Sequence, residues 1–200
     1  MSTFNELQAK RRSIYALGKE VNKTDEELFN LVKTSVKNSP SPFNSQSVQA
    51  VLLTGASHEK LWEMTLTALK EVSPSEEAFA ATTAKVKGAF QSGYGTVLYF
   101  TDRKIVDGLK EQAPLYADNF DDWAEEAMGI GLYSVWMALA EAGIGASLQH
   151  YNPLIDEAVK EAFNIPDSWV LRGQMPFGSI EAPADEKTYL ADDARFKLFQ

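Results

Sequence analysis

The sequence predicts a single α+β domain, spanning residues 1–200, in which helices surround a short sheet. The chain has 200 residues, which is enough for one domain with a substantial core but too few for two large ones. Several segments repeat apolar residues at helical spacing, whereas two short runs, VQAVLLT and TVLYFT, are rich in β-forming residues. No internal repeat or low-complexity linker divides the chain.

The amino-terminal part is predicted to hold two helices and a loop. The first helix covers residues 4–11. Thr24, with Glu27 three residues later, has the pattern of a capping box and starts the second helix. The segment 38–47, NSPSPFNSQS, is predicted to be a loop, because each of its two prolines favours an extended backbone at the preceding residue.

The rest of the chain alternates helices with short strands. The predicted helices are 58–72, 74–90, a brief helix from Asp102 or Asp107 to Gln112, 119–142 and 154–163. The predicted strands are 48–54, 96–101, 145–149 and 169–177. Gly173 and Pro176 indicate that the last strand lies at an edge of the sheet or carries a bulge.

The helix 119–142 is apolar nearly all the way round from residue 127, so we expect it to run through the interior. Three glycines, Gly129, Gly131 and Gly143, would allow a neighbouring backbone or a partner helix to approach closely. Its uncharged run 127–140 has 14 residues, fewer than the roughly 20 that span a bilayer, so we expect no membrane association.

Composition narrows the classes of function. A formal net charge of −9 argues against non-specific nucleic-acid binding, which depends on cationic contacts to phosphates. The absence of cysteine excludes disulfides, thiolate metal sites and a cysteine nucleophile, and two histidines exclude a histidine-rich metal site. The first residues contain no apolar signal-peptide region, and the lack of cysteine is compatible with the cytoplasm, where we expect the protein to reside.

A short basic segment stands out in this acidic chain. Arg11 and Arg12 follow Lys10 and run directly into Ser13. Guanidinium groups match the geometry of phosphate bidentately, so the segment is a candidate anion site. A solvated basic patch at a helix end is the alternative. No G-x-G-x-x-G after a strand, no P-loop and no G-x-S-x-G occurs in the chain, which disfavours the nucleotide and hydrolase sites that those motifs form.

Three further polar clusters lie elsewhere in the chain. Asn44 and Gln46 lie in the proline-rich loop, and amide side chains can both donate and accept hydrogen bonds to a heterocycle. The loop LQHYNP follows the strand predicted at 145–149. The tail after residue 179 is polar, acidic and predicted to be extended; strand geometry at its end would direct Arg195 and Lys197 to one face.

The order of these motifs resembles the nitroreductase-like flavoprotein family. The segments that carry the resemblance are RRSIYAL, SPSPFNSQS, SLQHYNP, the PFG after the late strand, and RFKLF, and they extend over essentially the whole chain. The chain is most similar to the short branch, represented by the fatty-acid-repression-mutant type of fungi and by copper-induced bacterial nitroreductases. The resemblance implies a short mixed or antiparallel sheet surrounded by helices, in an intertwined homodimer.

The resemblance also implies an activity. Two FMN molecules would lie at the subunit interface, would be reduced by NADH or NADPH, and would transfer two electrons to nitroaromatics, quinones or similar acceptors in a ping-pong cycle. FMN chemistry would come from the cofactor, and the protein would position it.

The family's binding residues carry over by position. The phosphate and the ribityl or pyrimidine groups would be held by Arg11, Arg12 and Ser13, with Arg195 and Lys197 completing the phosphate site. The isoalloxazine would be met from the partner subunit by Pro42, Phe43, Asn44 and Gln46. The flavin N5 side would face Leu148, Gln149, His150 and Tyr151. Common nitroreductases have a Pro-x-Glu-Gly-type segment at this last place, and longer members have a helical insertion that this chain lacks, so substrate range does not carry over.

The sequence leaves two questions open: the role of two residues, and which of three classes of protein this chain is. His150 and Tyr151 are candidate proton donors, with a structural or backbone role as the alternative for both. The protein as a whole is either a reductase or a flavin-binding stress or sensor protein whose reductase activity is incidental. A non-enzymatic helical interaction domain with solvated basic clusters is the third interpretation.

Overall fold

The computed structural model describes residues 3–200 and centres on an antiparallel sheet. The strands are β1 (Leu17–Gly18), β2 (Val48–Thr54), β3 (Gly95–Asp102), β4 (Gly145–Ala146) and β5 (Trp169–Ile180). Their order across the sheet is β1, β5, β3, β2, and β4 also pairs with β5. The antiparallel pairing confirms the predicted α+β class and leaves β2 at one edge of the sheet.

The helices pack around this sheet. They are α1 (Phe4–Lys10), α2 (Asp25–Asn38), α3 (Gly55–Val72), α4 (Glu76–Val86), α5 (Arg103–Gln112), α6 (Phe120–Glu141), α7 (Asp156–Phe163) and α8 (Asp192–Arg195). Short 3₁₀ turns cover Pro42–Asn44 and Pro114–Asn119, and a π-helical turn, Lys87–Gln91, continues α4. The capping box predicted at Thr24 is confirmed, because its hydroxyl accepts the Glu27 N–H and Glu27 accepts the Thr24 N–H.

The two faces of the sheet bury separate cores. Alternate residues of β3 point to opposite sides, so Val97 and Tyr99 pack with α2 and α6 while Leu98 and Phe100 pack with α3 and α7. All four side chains are fully buried. The sheet is therefore the middle of three layers, and α6 lies along one face of it.

Several predicted boundaries were wrong for local reasons. Helix α3 begins at Gly55 rather than at residue 58, because a positive φ of 52° at Gly55 turns the end of β2 directly into the helix. The helix predicted over 74–90 begins at Glu76, after the Ser75 cap, and ends in the π-helical turn. The strand predicted over 145–149 is shorter, since only β4 and an isolated bridge at Gln149 pair with β5.

Of the two possibilities predicted for β5, an edge position or a bulge, the structure has the bulge, in a strand that is central in the sheet. The register against β3 shifts between Tyr99 and Phe100. Pro176 is tolerated because its carbonyl accepts the Ser147 N–H at 3.2 Å, just past the end of β4. A residue's N–H and C=O point to the same side of a strand, so the donor that proline lacks faces Ser147 and not β3. The proline therefore interrupts only the pairing with the β4 side, which resumes at the bridge between Gln149 and Gln174.

The interior position predicted for α6 holds for only one side of the helix. Gly131 touches the sheet closely, since a Cβ there would lie 3.2 Å from Cγ1 of Val48. Gly143 instead ends the helix with a φ of 76°. Gly129 and the neighbouring Ile130 are exposed, Ile130 by 40%. Among the described residues, no helix is long and apolar enough to cross a membrane.

The tail after β5 is extended, as predicted, up to a single helical turn. That turn is α8, and it contains Arg195. The strand geometry predicted at Arg195 was therefore wrong, because Phe196 N–H bonds back to the Asp192 carbonyl at 2.8 Å. Large apolar side chains of the tail remain in solvent, among them Leu198 at 80% and Phe199 at 89% exposure.

Candidate functional site

The basic segment lies at the junction of α1, β4 and the tail. Arg11 caps α1 through its backbone N–H, which bonds to the Leu7 carbonyl at 2.9 Å. Ser13 forms a parallel bridge with Ala146, and the next N–H along the chain bonds to the Ala146 carbonyl at 2.9 Å. The segment is thus fixed against a strand of the sheet, and its side chains line an open cleft of about 490 Å³.

Both guanidinium groups of this segment are held without carboxylate partners. Arg11 lies over the ring of Trp136, with its guanidinium carbon 4.5 Å from the ring centroid. Arg12 donates to the Asp185 backbone carbonyl at 2.6 Å. The cleft that they border is also lined by Tyr15 and by part of the tail, including Lys187.

Ion pairing separates the five arginines of this chain into two groups. Arg103 pairs with Asp107 and Asp121, each at 2.8 Å, and Arg172 pairs with Glu125. The hydrogen bonds that Asp121 accepts from Lys110 and Arg103 hold the pKa of its carboxyl below the usual value. Within residues 3–200, Arg11, Arg12 and Arg195 have no ion pair. Two of these, Arg11 and Arg12, form the candidate anion site of the sequence, and the third, Arg195, is the one that the family resemblance adds to it.

The loop Pro42–Gln46 has an unusual backbone. Positive φ angles occur at Phe43 (55°), Asn44 (52°) and Gln46 (53°). Asparagine tolerates this region, but each of the other two costs about 1–3 kcal/mol and persists only where the surroundings impose it. Here Ser41 imposes it, since its carbonyl accepts the Asn44 N–H at 2.9 Å and its hydroxyl accepts the Gln46 N–H at 3.0 Å.

Aromatic packing anchors the same loop to the amino-terminal end of α6. The Phe43 ring lies 5.5 Å from Phe120, 6.1 Å from Trp123 and 5.9 Å from Tyr116, measured between centroids. Phe43 is nevertheless 59% exposed. A strained loop that holds amide side chains and an aromatic ring in solvent is typical of a binding segment.

The loop after β4 is tied to β5 through Gln174. The Gln149 N–H and carbonyl both pair with Gln174 backbone groups, at 2.7 and 2.9 Å. The buried Gln174 side chain accepts the Tyr151 N–H at 2.7 Å. Within residues 148–151, the backbone N–H groups of Leu148 and His150 meet no acceptor among the described residues, so these two are able to bond a ligand.

The two candidate proton donors have different surroundings. The Tyr151 ring packs edge-on against Trp62 and Phe90, at 6.0 and 6.3 Å between centroids, and burial raises the pKa of its phenol. His150 is exposed, and its Nδ1 lies 3.0 Å from the Arg172 carbonyl. A carbonyl only accepts, so Nδ1 carries the hydrogen and Nε2 is the nitrogen left to exchange a proton.

Within one chain the predicted site residues form separate groups. Arg11 contacts α6 at Trp136, whereas Phe43 contacts it at Trp123. These positions are 13 residues apart on the helix, or about 20 Å along its axis. The two groups therefore lie towards opposite ends of α6.

The tail cations do not join the cleft in the single chain. Lys197 Nζ donates to the Asp193 carbonyl at 2.7 Å, and the Arg195 guanidinium lies over the Phe196 ring at 5.1 Å. Lys187, which the sequence analysis missed, lines the cleft instead. No sequence pattern singles out Lys187, because its position depends on how the tail folds back over residues 13–16.

Metal-binding clusters are absent from residues 3–200. His58 is fully buried, and both of its ring nitrogens have hydrogen-bond partners within the protein. Its Nδ1 lies 2.9 Å from Thr96 Oγ1, and its Nε2 lies 3.1 Å from the Gln91 carbonyl. Trp62 Nε1 donates to the same Thr96 hydroxyl at 3.1 Å. Burial lowers the pKa of His58, so the ring is held neutral as a structural group.

The fold and the unpaired arginines define an α+β protein with an open, cationic ligand cleft. Comparison with known proteins then identifies the family: the model named Nitroreductase family matches residues 9–179. The chain belongs to the nitroreductase family.

Individual relatives agree with this assignment. The putative nitroreductase HBN1 of Saccharomyces cerevisiae is 36% identical over 195 residues, which covers 96% of both chains. The nitroreductase CinD from Lactococcus lactis, solved in complex with 4-nitrophenol, is 48% identical, with a TM-score of 0.89 over 99% of this chain and 100% of CinD. A nitroreductase with bound FMN from Desulfitobacterium hafniense shares the fold at 14% identity, with a TM-score of 0.70 over the full length of both chains. The resemblance identified from the sequence motifs is confirmed.

Proposed function

We propose that this protein is an FMN-dependent NAD(P)H oxidoreductase that acts as a homodimer on nitroaromatics, quinones or similar acceptors. The observation that carries the proposal is the division of the arginines. The only described arginines without a carboxylate partner are Arg11, Arg12 and Arg195, in a chain of the nitroreductase family. Carboxylates are abundant in this acidic chain, yet none of the described ones pairs with these arginines, which favours a role in binding an anionic ligand.

The residues present fit the FMN phosphate. Arg11 Nε is buried and has no acceptor among the described residues, which costs free energy unless a ligand supplies one. Ser13 offers a hydroxyl beside it, and Lys187 adds a positive charge to the same cleft. Charge-assisted bonds from these groups would bind and orient the phosphate end of the cofactor.

The loop Pro42–Gln46 supports a site shared between two subunits. In one chain this loop and the arginines lie towards opposite ends of α6. A two-fold axis that places α6 against its copy in antiparallel orientation brings the loop of one subunit beside the arginines of the other. The exposed Gly129 and Ile130 give α6 an apolar surface for that contact.

The tail supports the same dimer. Phe196, Leu198 and Phe199 are 60%, 80% and 89% exposed in the single chain, which is costly for apolar groups that no neighbour covers. The outer edge of β2 is free among the described residues, and a cleft of mixed polar and apolar lining, which includes Val48 and Ala50, lies beside it. We expect the tail to cross to the partner and cover this region, which would carry Arg195 and Lys197 with it.

Bound FMN would supply the electron chemistry, taking a hydride from NADH or NADPH and passing two electrons to the acceptor. The chain's own residues bind and orient it. The free N–H groups of Leu148 and His150 would donate towards the flavin N5 side. The His150 nitrogen that is not bonded to the Arg172 carbonyl, Nε2, would accept a proton from the neutral ring form and donate one from the imidazolium form. Tyr151 has a structural role, because its N–H is bonded to Gln174 and its ring is packed in the core.

CinD, the relative solved with 4-nitrophenol, supports nitroaromatics as one class of acceptor. A flavin-binding stress or sensor protein with incidental reductase activity remains the second candidate, because the same cleft would serve it. Family membership favours the oxidoreductase over an interaction domain without a cofactor.

Rapid-mixing spectroscopy on the purified dimer separates the two flavin-binding candidates. Under anaerobic conditions, we expect NADH or NADPH to bleach the flavin absorbance and 4-nitrophenol or a quinone to restore it within the time of one steady-state turnover. Parallel lines in double-reciprocal plots would accompany a ping-pong cycle. Flavin that stays oxidised in the presence of both nicotinamide cofactors would contradict the reductase and support the sensor.

A further inference from the structure

Trp136 is a half-buried aromatic residue of α6 that no sequence motif singled out. Its ring carries the guanidinium of Arg11 at 4.5 Å from its centroid. Its Nε1–H is buried and, among the residues that the structure describes, meets no acceptor. Arg11 Nε is in the same condition. Two neighbouring N–H donors are therefore both without a partner.

The surroundings of these donors favour an anion. Both residues line a small cavity of about 40 Å³, together with Lys10 and Arg12. The other lining residues are apolar or glycine, so no carboxylate competes for the donors. The cavity has room for a water molecule or for one oxygen of a larger ligand.

We propose that Trp136 is a positioning residue that fixes the Arg11 guanidinium for the flavin phosphate, and that it thereby sets the preference for FMN over flavins without a phosphate. This inference rests on the proposed function. The ring restricts the plane of the guanidinium, so the edge that faces the cleft is already oriented when a phosphate arrives. Loosening that orientation weakens contacts to the phosphate and leaves contacts to the isoalloxazine unchanged.

A purely structural role for Trp136 makes a different prediction. Helix α1 buries none of its described residues, so the stack of Arg11 on Trp136 also holds α1 against α6. If that were its whole role, loss of the ring would weaken every flavin equally or lower only the thermal stability. The ratio of FMN affinity to riboflavin affinity distinguishes the two roles, because riboflavin lacks only the phosphate.

The test compares Trp136→Leu and Trp136→Phe with the wild-type homodimer, full-length and stripped of flavin, by titration with FMN and with riboflavin. Trp136→Leu removes the aromatic ring, whereas Trp136→Phe keeps a ring and removes the N–H. We expect Trp136→Leu to lower the FMN-to-riboflavin affinity ratio about 3- to 30-fold, with a smaller reduction for Trp136→Phe. The matched control is Trp169→Leu, a half-buried tryptophan that packs on Phe100 on the other face of the sheet.

The outcomes separate this inference from the proposed function. An unchanged ratio in a folded Trp136→Leu dimer, or equal losses for both flavins, would overturn the inference alone. If Trp136→Leu does not fold, the ratio measured with Trp136→Phe decides, and an unchanged value there overturns the inference. Wild-type protein that binds neither flavin would overturn the inference together with the proposed function.

Discussion

Mixing two variants that each bind FMN poorly tests whether each site is built from two chains. One variant carries Arg11→Ala and Arg12→Ala, and the other carries Asn44→Gly and Gln46→Gly. Glycine is chosen at the second pair because the φ angles there are 52° and 53°, which glycine adopts without strain. In a shared site, the heterodimer of the two variants has one site with both lesions and one site that is intact.

The expected size of the effect follows from the phosphate contacts. Loss of one charge-assisted arginine contact weakens binding about 10- to 150-fold. At a free FMN concentration about four times the wild-type Kd, a 10-fold loss lowers occupancy from about 80% to about 30%. The arginine-variant homodimer should therefore fall to about 30% occupancy or below.

The assay is the flavin content of the heterodimer, purified through two different affinity tags and then equilibrated at that free FMN concentration. We expect each variant homodimer to be poor in FMN and the heterodimer to bind one FMN per dimer with an affinity close to the wild-type value. A heterodimer as depleted as the two homodimers would refute the shared site, because a site made within one chain leaves both chains damaged.

Three further predictions concern the dimer and the core. Ile130→Glu places a charge on the exposed apolar side of α6, and the variant should sediment as a monomer without flavin. The control Val72→Glu changes a side chain on α3 that is 61% exposed, and it should stay dimeric. Deletion of residues 195–200 should lower both FMN retention and dimer affinity; a truncated protein with full flavin content would exclude the tail from the site. Burial lowers the pKa of His58 in the folded protein. As the pH falls below about 6.5, the unfolded chain therefore binds a proton at His58 before the folded protein does. The free energy of unfolding should decrease there by up to about 1.4 kcal/mol per pH unit. Urea denaturation between pH 7.5 and 5 should show that slope in the wild type and a smaller one in His58→Asn; equal slopes would contradict the assignment.

Local chemistry explains what the sequence could predict. The Thr24 capping box, the runs of β2 and β3, and the loop 38–47 depend on residues close in sequence, and the structure has each of them. The segment around Arg11 could be identified as an anion site because adjacent arginines in an acidic chain are conspicuous.

Long-range geometry explains what the sequence could not predict. The central position of β5 is compatible with Pro176 because the donor that proline lacks faces Ser147 and not β3, and no pattern within β5 reveals this. Trp136 reaches Arg11 only because α6 packs against α1. The roles of Arg195 and Lys197 stay predictions, because in a single chain their side chains contact only the tail.

We expect this chain to hold FMN through its unpaired arginines. The most direct measurement is the absorbance spectrum of the purified protein, with the flavin released by denaturation, identified and counted per chain. The expected result is a yellow dimer with one FMN per chain and a large loss of flavin in the Arg11→Ala, Arg12→Ala variant. A colourless protein that gains no flavin absorbance when FMN is added and the excess removed would contradict it.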